Sequence, residues 1–234
     1  MMKHNKKWLA AATLLCVGGI ASAQSAGSWL LRAGATQLVP SNPSGDLSAP
    51  SFVSLDPVTG TRGGGSKTNT ASATQLGGGI TYMYTDNISV DVPLALPFHH
   101  KLYGAGSIEG AGQIGEVQAL PATLFLQYRF LEAGSRVRPY VGLGATYAYF
   151  FNAQGSGALT AMTNPGGPPT KVSVASKFAP TAQIGASFAV DAKWFADVFY
   201  SKTKLTATTT LSTGQKVDAA LDPASYGVAI GYKF

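Results

Sequence analysis

The last nine residues of the chain alternate strictly between large apolar side chains and small or polar ones. The large apolar side chains occupy every second position, at Tyr226, Val228, Ile230, Tyr232 and Phe234. Because successive side chains of a β-strand point to opposite faces, one face of this strand is apolar along its whole length. A strand with lipid on one side and a narrow interior on the other accounts for both faces. The pattern therefore predicts a strand of a transmembrane barrel.

Residues 1–23 have the three parts of a secretory leader. A lysine-rich start and an apolar core of 13 residues precede an Ala21-Ser22-Ala23 cleavage site. The apolar core is shorter than the about 20 residues that a helix needs to span a bilayer. We therefore predict that the leader is a signal peptide, cleaved between Ala23 and Gln24, and that residues 24–234 form a single barrel domain.

The composition agrees with a barrel and argues against a nucleic-acid partner. Charged residues make up 12% of the chain, about half of the ~25% that is usual in globular proteins. After removal of the leader, 14 Lys and Arg face 11 Asp and Glu, a net charge of +3. No cluster of basic residues follows the leader, so nucleic-acid binding is not predicted. No later stretch is long and apolar enough for a membrane helix, which leaves strands to cross the bilayer.

Alternation of the same kind recurs along the chain and predicts eight strands. They fall at about residues 28–38, 71–84, 88–98, 117–130, 137–151, 177–189, 194–205 and 220–234. Four long polar connections alternate with three short turns of three or four residues. Transmembrane barrels have this arrangement of long loops on one rim and short turns on the other. The predicted fold is all-β, an eight-stranded antiparallel transmembrane β-barrel with four long extracellular loops and three short periplasmic turns.

Several stretches of the chain are similar, in order and spacing, to one known family. These stretches are Ala26–Ala35, Thr81–Asn87, Pro97–His100, Leu120–Leu124 with Gln127 and Tyr128, Arg138–Gly142 and Tyr226–Phe234. Together they resemble the OmpW family of small outer-membrane barrels, and the long loops depart most from it. The resemblance implies a place in the outer membrane of a Gram-negative bacterium, with lipid and lipopolysaccharide as neighbours. It also implies passage of small, largely hydrophobic molecules.

The predicted interior of the barrel carries both charged and apolar side chains. Its lining residues are Leu30, Arg32, Asp91, Phe125, Gln127, Arg129, Lys177, Asp197 and Phe199. An eight-stranded barrel has room only for side chains or one small ligand, so a wide aqueous pore is excluded. Two arrangements remain open, one in which paired charges plug the barrel and one in which a channel runs through it. An apolar pocket that opens only at the outer rim is compatible with both sets of residues.

Three prolines in neighbouring strands suggest a gap in the barrel wall. Pro93 and Pro97 fall in the upper half of the third predicted strand, and Pro121 opens the fourth. Proline has no N–H to donate to a neighbouring strand and is usually kept out of the middle of a sheet. We predict that these prolines frame a lateral opening through which an apolar solute leaves for the bilayer. The alternative is that they only end the strands at the base of the loop.

The function that the resemblance implies is a narrow, passive conduit for small hydrophobic molecules, without an energy source or cofactor. The alternative is a plugged structural barrel whose extracellular loops bind a surface or a receptor. A soluble barrel of the lipocalin type would need polar outward faces. Enzymatic activity is not predicted, since no G-x-S-x-G motif is present. His99 and His100 are expected to be solvated loop residues, and adjacent histidines in an extended chain make a poor metal site.

Overall fold

A computed structural model describes residues 24–41, 66–106 and 108–234. The predicted leader, with Ala23, and most of the first predicted loop lie outside these residues. The described chain forms strands β1 (Trp29–Val39), β2 (Ser66–Thr70), β3 (Ala73–Met83), β4 (Ile88–Ala95), β5 (Phe98–Gly106), β6 (Gln113–Arg129), β7 (Val137–Gly155), β8 (Val172–Val174), β9 (Lys177–Ala189), β10 (Trp194–Thr203), β11 (Thr206–Leu211), β12 (Lys216–Ala220) and β13 (Ala224–Lys233), and helix α1 (Gly157–Thr163). No helix in this part of the chain is long and apolar enough to cross a membrane.

Eight of the strands close into an antiparallel barrel. The order around the wall is β1, β3, β4, β6, β7, β9, β10 and β13, and β13 pairs again with β1. The predicted eight-stranded barrel is thereby confirmed. The short turns after β3, β6 and β9 share one rim, called here the turn end, with the starts of β1 and β10. The longer connections share the opposite rim, the loop end.

The outer surface of the barrel is apolar, as the alternation predicts. Large side chains such as Leu76, Leu143 and Ile230 leave 69%, 74% and 62% of their surface exposed. Apolar exposure on this scale around a whole barrel marks a surface that is covered by lipid. Aromatic pairs stand at both rims, among them Trp29 with Tyr82 and Tyr200 with Tyr226. Aromatic rings at these heights fit the two membrane–water boundaries.

The strands extend further at the loop end than the sequence predicts. The four predicted loops contain β2, most of β5, α1, β11 and most of β12, and β8 lies between the third predicted loop and the sixth predicted strand. β2 and β5 continue the barrel wall beside β6, and β8, β11 and β12 form a separate three-stranded sheet. These segments are rich in threonine, lysine and small residues, and they lie beyond the lipid-facing band. One face of the separate sheet is apolar and buried, with Val172, Leu211 and Val217 among its residues, but its strands are only three to six residues long. Hydrophobic alternation does not reveal strands as short as these.

Two glycines let neighbouring strands approach closely on one side of the barrel. A Cβ atom at Gly34 of β1 would lie 2.0 Å from the Val228 carbonyl oxygen of β13. A Cβ atom at Gly78 of β3 would lie 2.0 Å from the Arg32 carbonyl oxygen of β1. Both contacts are with backbone, which cannot rotate away as a side chain can. The glycine-rich segment of β3 therefore serves close packing of the wall, as expected for glycine inside a strand.

Replacing Gly34 with alanine is expected to destabilise the barrel by about 1–3 kcal/mol, the usual cost of forcing extra volume into a packed site. Unfolding in urea, followed by fluorescence of the protein in lipid vesicles, measures the change. Gly157→Ala is the matched control, because a Cβ atom there meets nothing within 4 Å. Equal stability of the Gly34 variant and the wild type would contradict the close approach of β1 and β13.

Candidate functional site

A buried ion-pair network crosses the barrel interior toward its turn end. Arg32 of β1 donates from Nη2 to both carboxylate oxygens of Asp91 on β4, at 2.7 Å each. Its Nη1 donates to Oδ1 of Asp197 on β10 at 3.2 Å. All three side chains are buried. Three strands that are distant in sequence are thus joined through one guanidinium group.

The two carboxylates have further donors, so that they do not depend on Arg32 alone. The Thr81 hydroxyl donates to Asp91 at 2.6 Å. The Ser187 hydroxyl and the Tyr140 hydroxyl donate to Asp197 at 2.8 and 3.0 Å. Buried charges are stable only when paired and hydrogen-bonded in this way, because they have lost the water that would solvate them. The carboxylates of the network are thus fully hydrogen-bonded, whereas Nε of Arg32 has no partner in the described part of the molecule.

Two more arginines close the turn end below this ion pair. Arg129 donates to the hydroxyls of Ser89 and Ser187 and to the side-chain oxygens of Gln127 and Gln24. Arg138 donates from Nη1 to the Gln24 carbonyl oxygen at 2.7 Å and from Nη2 to the Asp86 carbonyl oxygen at 2.5 Å. These residues, together with Arg32, Asp91, Asp197, Thr81 and Tyr140, form the plug of the barrel. Leu30, Met83 and Phe195 form an apolar cluster beside the plug.

The loop-end half of the interior holds an open cavity. Its empty space is about 1640 Å³, including the open mouth. Phe98, Val117, Ala119, Ala148, Leu205 and Leu221 are among the apolar residues of its wall. Phe125, Phe199 and Gln183 also belong to the lining. Each of them lies on a strand that carries a plug residue closer to the turn end. The interior is therefore divided into a polar plug at one end and a largely apolar cavity at the other.

The barrel wall has a seam between β4 and β6. Their pairing runs from Ile88 opposite Tyr128 to Asp91 opposite Phe125. Pairing with β6 resumes only in β5, with Phe98 opposite Ala119. Within these described strands, no pairing joins residues 92–97 to residues 120–124. Each of the two strands stays paired on its other side, because β4 pairs with β3 and β6 pairs with β7 along this stretch.

All three predicted prolines lie at this seam. Pro93 is in β4, and Pro97 lies between β4 and β5. Pro121 was predicted to open a strand, but it lies in the middle of β6, because β6 continues beyond the lipid-facing band to Gln113. Pro93, Pro121 and Leu94 also line the cavity, and Leu94 is half exposed on the outer surface. The cavity therefore reaches the wall of the barrel where strand pairing is interrupted.

Most of the predicted lining residues face the interior. Leu30, Arg32, Asp91, Phe125, Gln127, Arg129 and Asp197 are buried, and Phe199 is partly buried beside the cavity. Lys177 is different, because it is the first residue of β9, where the wall ends, and its side chain is exposed to solvent. Gln24, predicted to follow the cleavage site, is buried against Arg129 and Arg138. Cleavage beside it stays a prediction.

Several site residues were not predicted from the sequence. Thr81, Ser89, Arg138, Tyr140 and Ser187 complete the plug, and strand alternation would have found each of them as an inward-facing neighbour of a lipid-facing residue. His100 was expected in a solvated loop, but it is buried in β5 with Nδ1 2.8 Å from the Ala71 carbonyl oxygen. In the described part of the chain, no group of three or more His, Cys, Asp or Glu side chains could hold a metal ion.

An ion pair stabilises the loop end close to the cavity mouth. Lys204 contacts Oδ2 of Asp222 at 2.5 Å, and the Leu205 amide donates to Oδ1 at 2.9 Å. These donors favour the charged carboxylate and lower the pKa of Asp222 below its ordinary value. The contact joins the connection after β10 to the connection before β13. Leu205, Leu221 and Pro223 of these two connections line the cavity.

Comparison with known proteins gives consistent matches over nearly the whole barrel. The sequence model of the OmpW family matches residues 25–234. Outer membrane protein W of Vibrio cholerae serotype O1 is 36% identical over 216 residues, 91% of each chain. Outer membrane protein W of Escherichia coli K12 is 33% identical over the full length of both chains. The crystal structure of outer membrane protein OprG from Pseudomonas aeruginosa has a TM-score of 0.78 at 26% identity, covering 91% of this chain and 98% of OprG.

Proposed function

Since the chain belongs to the OmpW family and is an outer-membrane β-barrel of Gram-negative type, we propose that it is a passive conduit for small hydrophobic molecules. Such molecules enter the cavity at the loop end, which faces the outside of the cell, and leave sideways into the bilayer at the seam. The observation that carries the proposal is the position of the cavity, which ends below at the plug and reaches the wall beside Pro93 and Pro121.

The plug favours the sideways route over a route through the barrel. An apolar molecule that passed between Arg32, Asp91 and Asp197 would separate buried charges that have no water to replace their partners. Leaving through the seam only exchanges one apolar environment for another. Transfer from water into the cavity is favourable by about 25 cal/mol per Å² of apolar surface covered. The driving force is therefore partition into lipid, and no energy source is needed.

Closing the seam is expected to slow uptake several-fold. Replacing Pro93, Pro97 and Pro121 together with threonine supplies the missing N–H groups and a residue type that favours strands. The measurement is the rate at which a fluorescent apolar probe enters vesicles that contain the protein and carry lipopolysaccharide in the outer leaflet. Pro180→Thr on β9, a strand paired on both sides, is the control and should keep the wild-type rate. Unchanged uptake by the triple variant would refute the lateral exit.

A further inference from the structure

The predicted first residue of the mature chain is part of the plug. Gln24 follows the Ala21-Ser22-Ala23 cleavage site and is 2% exposed. Its side-chain oxygen accepts from Nη1 of Arg129 at 2.9 Å, and its main-chain oxygen accepts from Nη1 of Arg138 at 2.7 Å. The first residues of most domains are poorly ordered unless something ties them down. Gln24 is tied down by two guanidinium groups, so its chemical form affects the plug.

The surroundings of Gln24 carry an excess of positive charge. The hydrogen-bond acceptors that Arg129 contacts are uncharged oxygens of serine and glutamine side chains. The acceptors that Arg138 contacts are main-chain oxygens. The two buried carboxylates of the plug contact Arg32 instead. The Asp86 carboxylate also lies at the turn end, but it is exposed to solvent and already accepts from a main-chain amide at 2.7 Å.

Removal of the leader would create an amino group at this place. Only the Cα atom and the carbonyl carbon of Gln24 separate its α-nitrogen from the oxygen that Arg138 contacts, so the new amine would lie close to this guanidinium group. A free α-amine has a pKa of about 8 and is mostly protonated at neutral pH. Its ammonium would stand beside two guanidinium groups with which it cannot pair. Like charges that meet in a poorly solvated site are unfavourable.

A glutamine at the first position can remove this charge by ring closure. The unprotonated α-nitrogen attacks Cδ of the side chain and forms a C–N bond, the bond from Cδ to Nε2 breaks, and Nε2 leaves as ammonia with one hydrogen from the α-nitrogen. The product, pyroglutamate, is an uncharged lactam. Because Arg129 can only donate, the atom that faces it is the amide oxygen, and this oxygen stays on Cδ. The lactam therefore keeps the acceptors for Arg129 and Arg138 and lacks the ammonium group.

We propose that Gln24 is a modification site and that the mature chain begins with pyroglutamate at position 24. This inference rests on the predicted cleavage after Ala23 and is independent of the path that a solute takes. Ring closure removes the charge that opposes insertion of the first residue between Arg129 and Arg138. It also joins the side chain to the main chain, which fixes the position of the oxygen that Arg129 contacts. The cyclised end therefore stabilises the turn end of the plug more than a free amine does.

Mass spectrometry of the protein isolated from outer membranes tests the modification directly. Protease digestion should give a first peptide that starts at residue 24 and is lighter than its unmodified form by one ammonia. In Gln24→Asn the ring would be smaller and strained, so the first peptide should keep its full mass. A synthetic peptide with the wild-type start, carried through the same steps, reports cyclisation during handling. A wild-type peptide with unmodified Gln24, or one that starts at another residue, overturns the proposal.

A second measurement compares two forms of one sequence and does not depend on a variant. The mature chain is released from a fusion partner with Gln24 first, and half of it is treated with glutaminyl cyclase before folding into lipid vesicles. The cyclised form should unfold at a higher urea concentration at about pH 7, and the difference should shrink at about pH 9, where the free amine is mostly neutral. Equal urea midpoints at neutral pH would overturn the role of the lactam in the plug. The Gln24→Asn chain, which the cyclase cannot convert, should show the same midpoint with and without treatment.

Discussion

Replacing Asp91 with alanine is expected to lower the free energy of unfolding by about 3–5 kcal/mol, the cost of leaving a buried charge without its partner. Asp91 accepts two hydrogen bonds from Arg32 and one from Thr81. Its removal leaves Arg32 with a single carboxylate, at the longer distance of 3.2 Å, in an interior where Arg32 is 5% exposed.

Equilibrium unfolding in urea of the protein folded in lipid vesicles measures this change. Trp29 and Trp194 stand half exposed at the turn end, so their fluorescence changes when they leave the membrane boundary. Asp218→Ala is the control, because it removes an exposed carboxylate of β12 that accepts from Thr208. A surface group of this kind contributes about 0–1 kcal/mol. Similar losses in both variants would show that the ion pair does not hold the barrel together.

Filling the cavity is expected to stop uptake almost completely. Ala148 of β7 is buried and lines the cavity, whereas Ala145 of the same strand is exposed on the lipid-facing surface. Ala148→Trp places an indole ring in the space that an apolar solute would occupy. We expect uptake of the apolar probe to fall at least about ten-fold, which corresponds to about 1.4 kcal/mol in the controlling step.

Ala145→Trp is the matched control for this experiment. It adds the same side chain to the same strand, three residues away, but on the face that meets lipid, and it should keep the wild-type rate. Both variants are first tested for folding by the shift in electrophoretic mobility on heating. A folded Ala148→Trp protein with full uptake would exclude the cavity as the solute path. Loss of surface binding after deletions within residues 152–170 would then favour the plugged barrel that acts through its loops.

Hydrophobic alternation in the sequence was sufficient to predict the number of barrel strands and the direction of most side chains. Leu30, Arg32, Asp91 and Asp197 could be predicted to line the interior because facing is a property of each strand alone, and all four are buried in the structure. The prolines drew attention to the wall between β4 and β6 for a similar reason, since a missing N–H is a local defect wherever the strand lies, and the lateral opening stays a prediction. What failed was the extent of the strands beyond the membrane, where β11 and β12 are only six and five residues long and give too short an alternating run to mark them.

Sequence alone therefore determined which residues face inward, because the side-chain period of a strand is set by its own backbone. Only the tertiary structure decided how far along the barrel each of them lies. That height depends on the stagger between strands, which brings Arg32 next to Asp91 and Asp197, 59 and 165 residues away. The same stagger separates the plug from the cavity, exposes Lys177 at the rim and leaves Gln183 without a partner for its nitrogen.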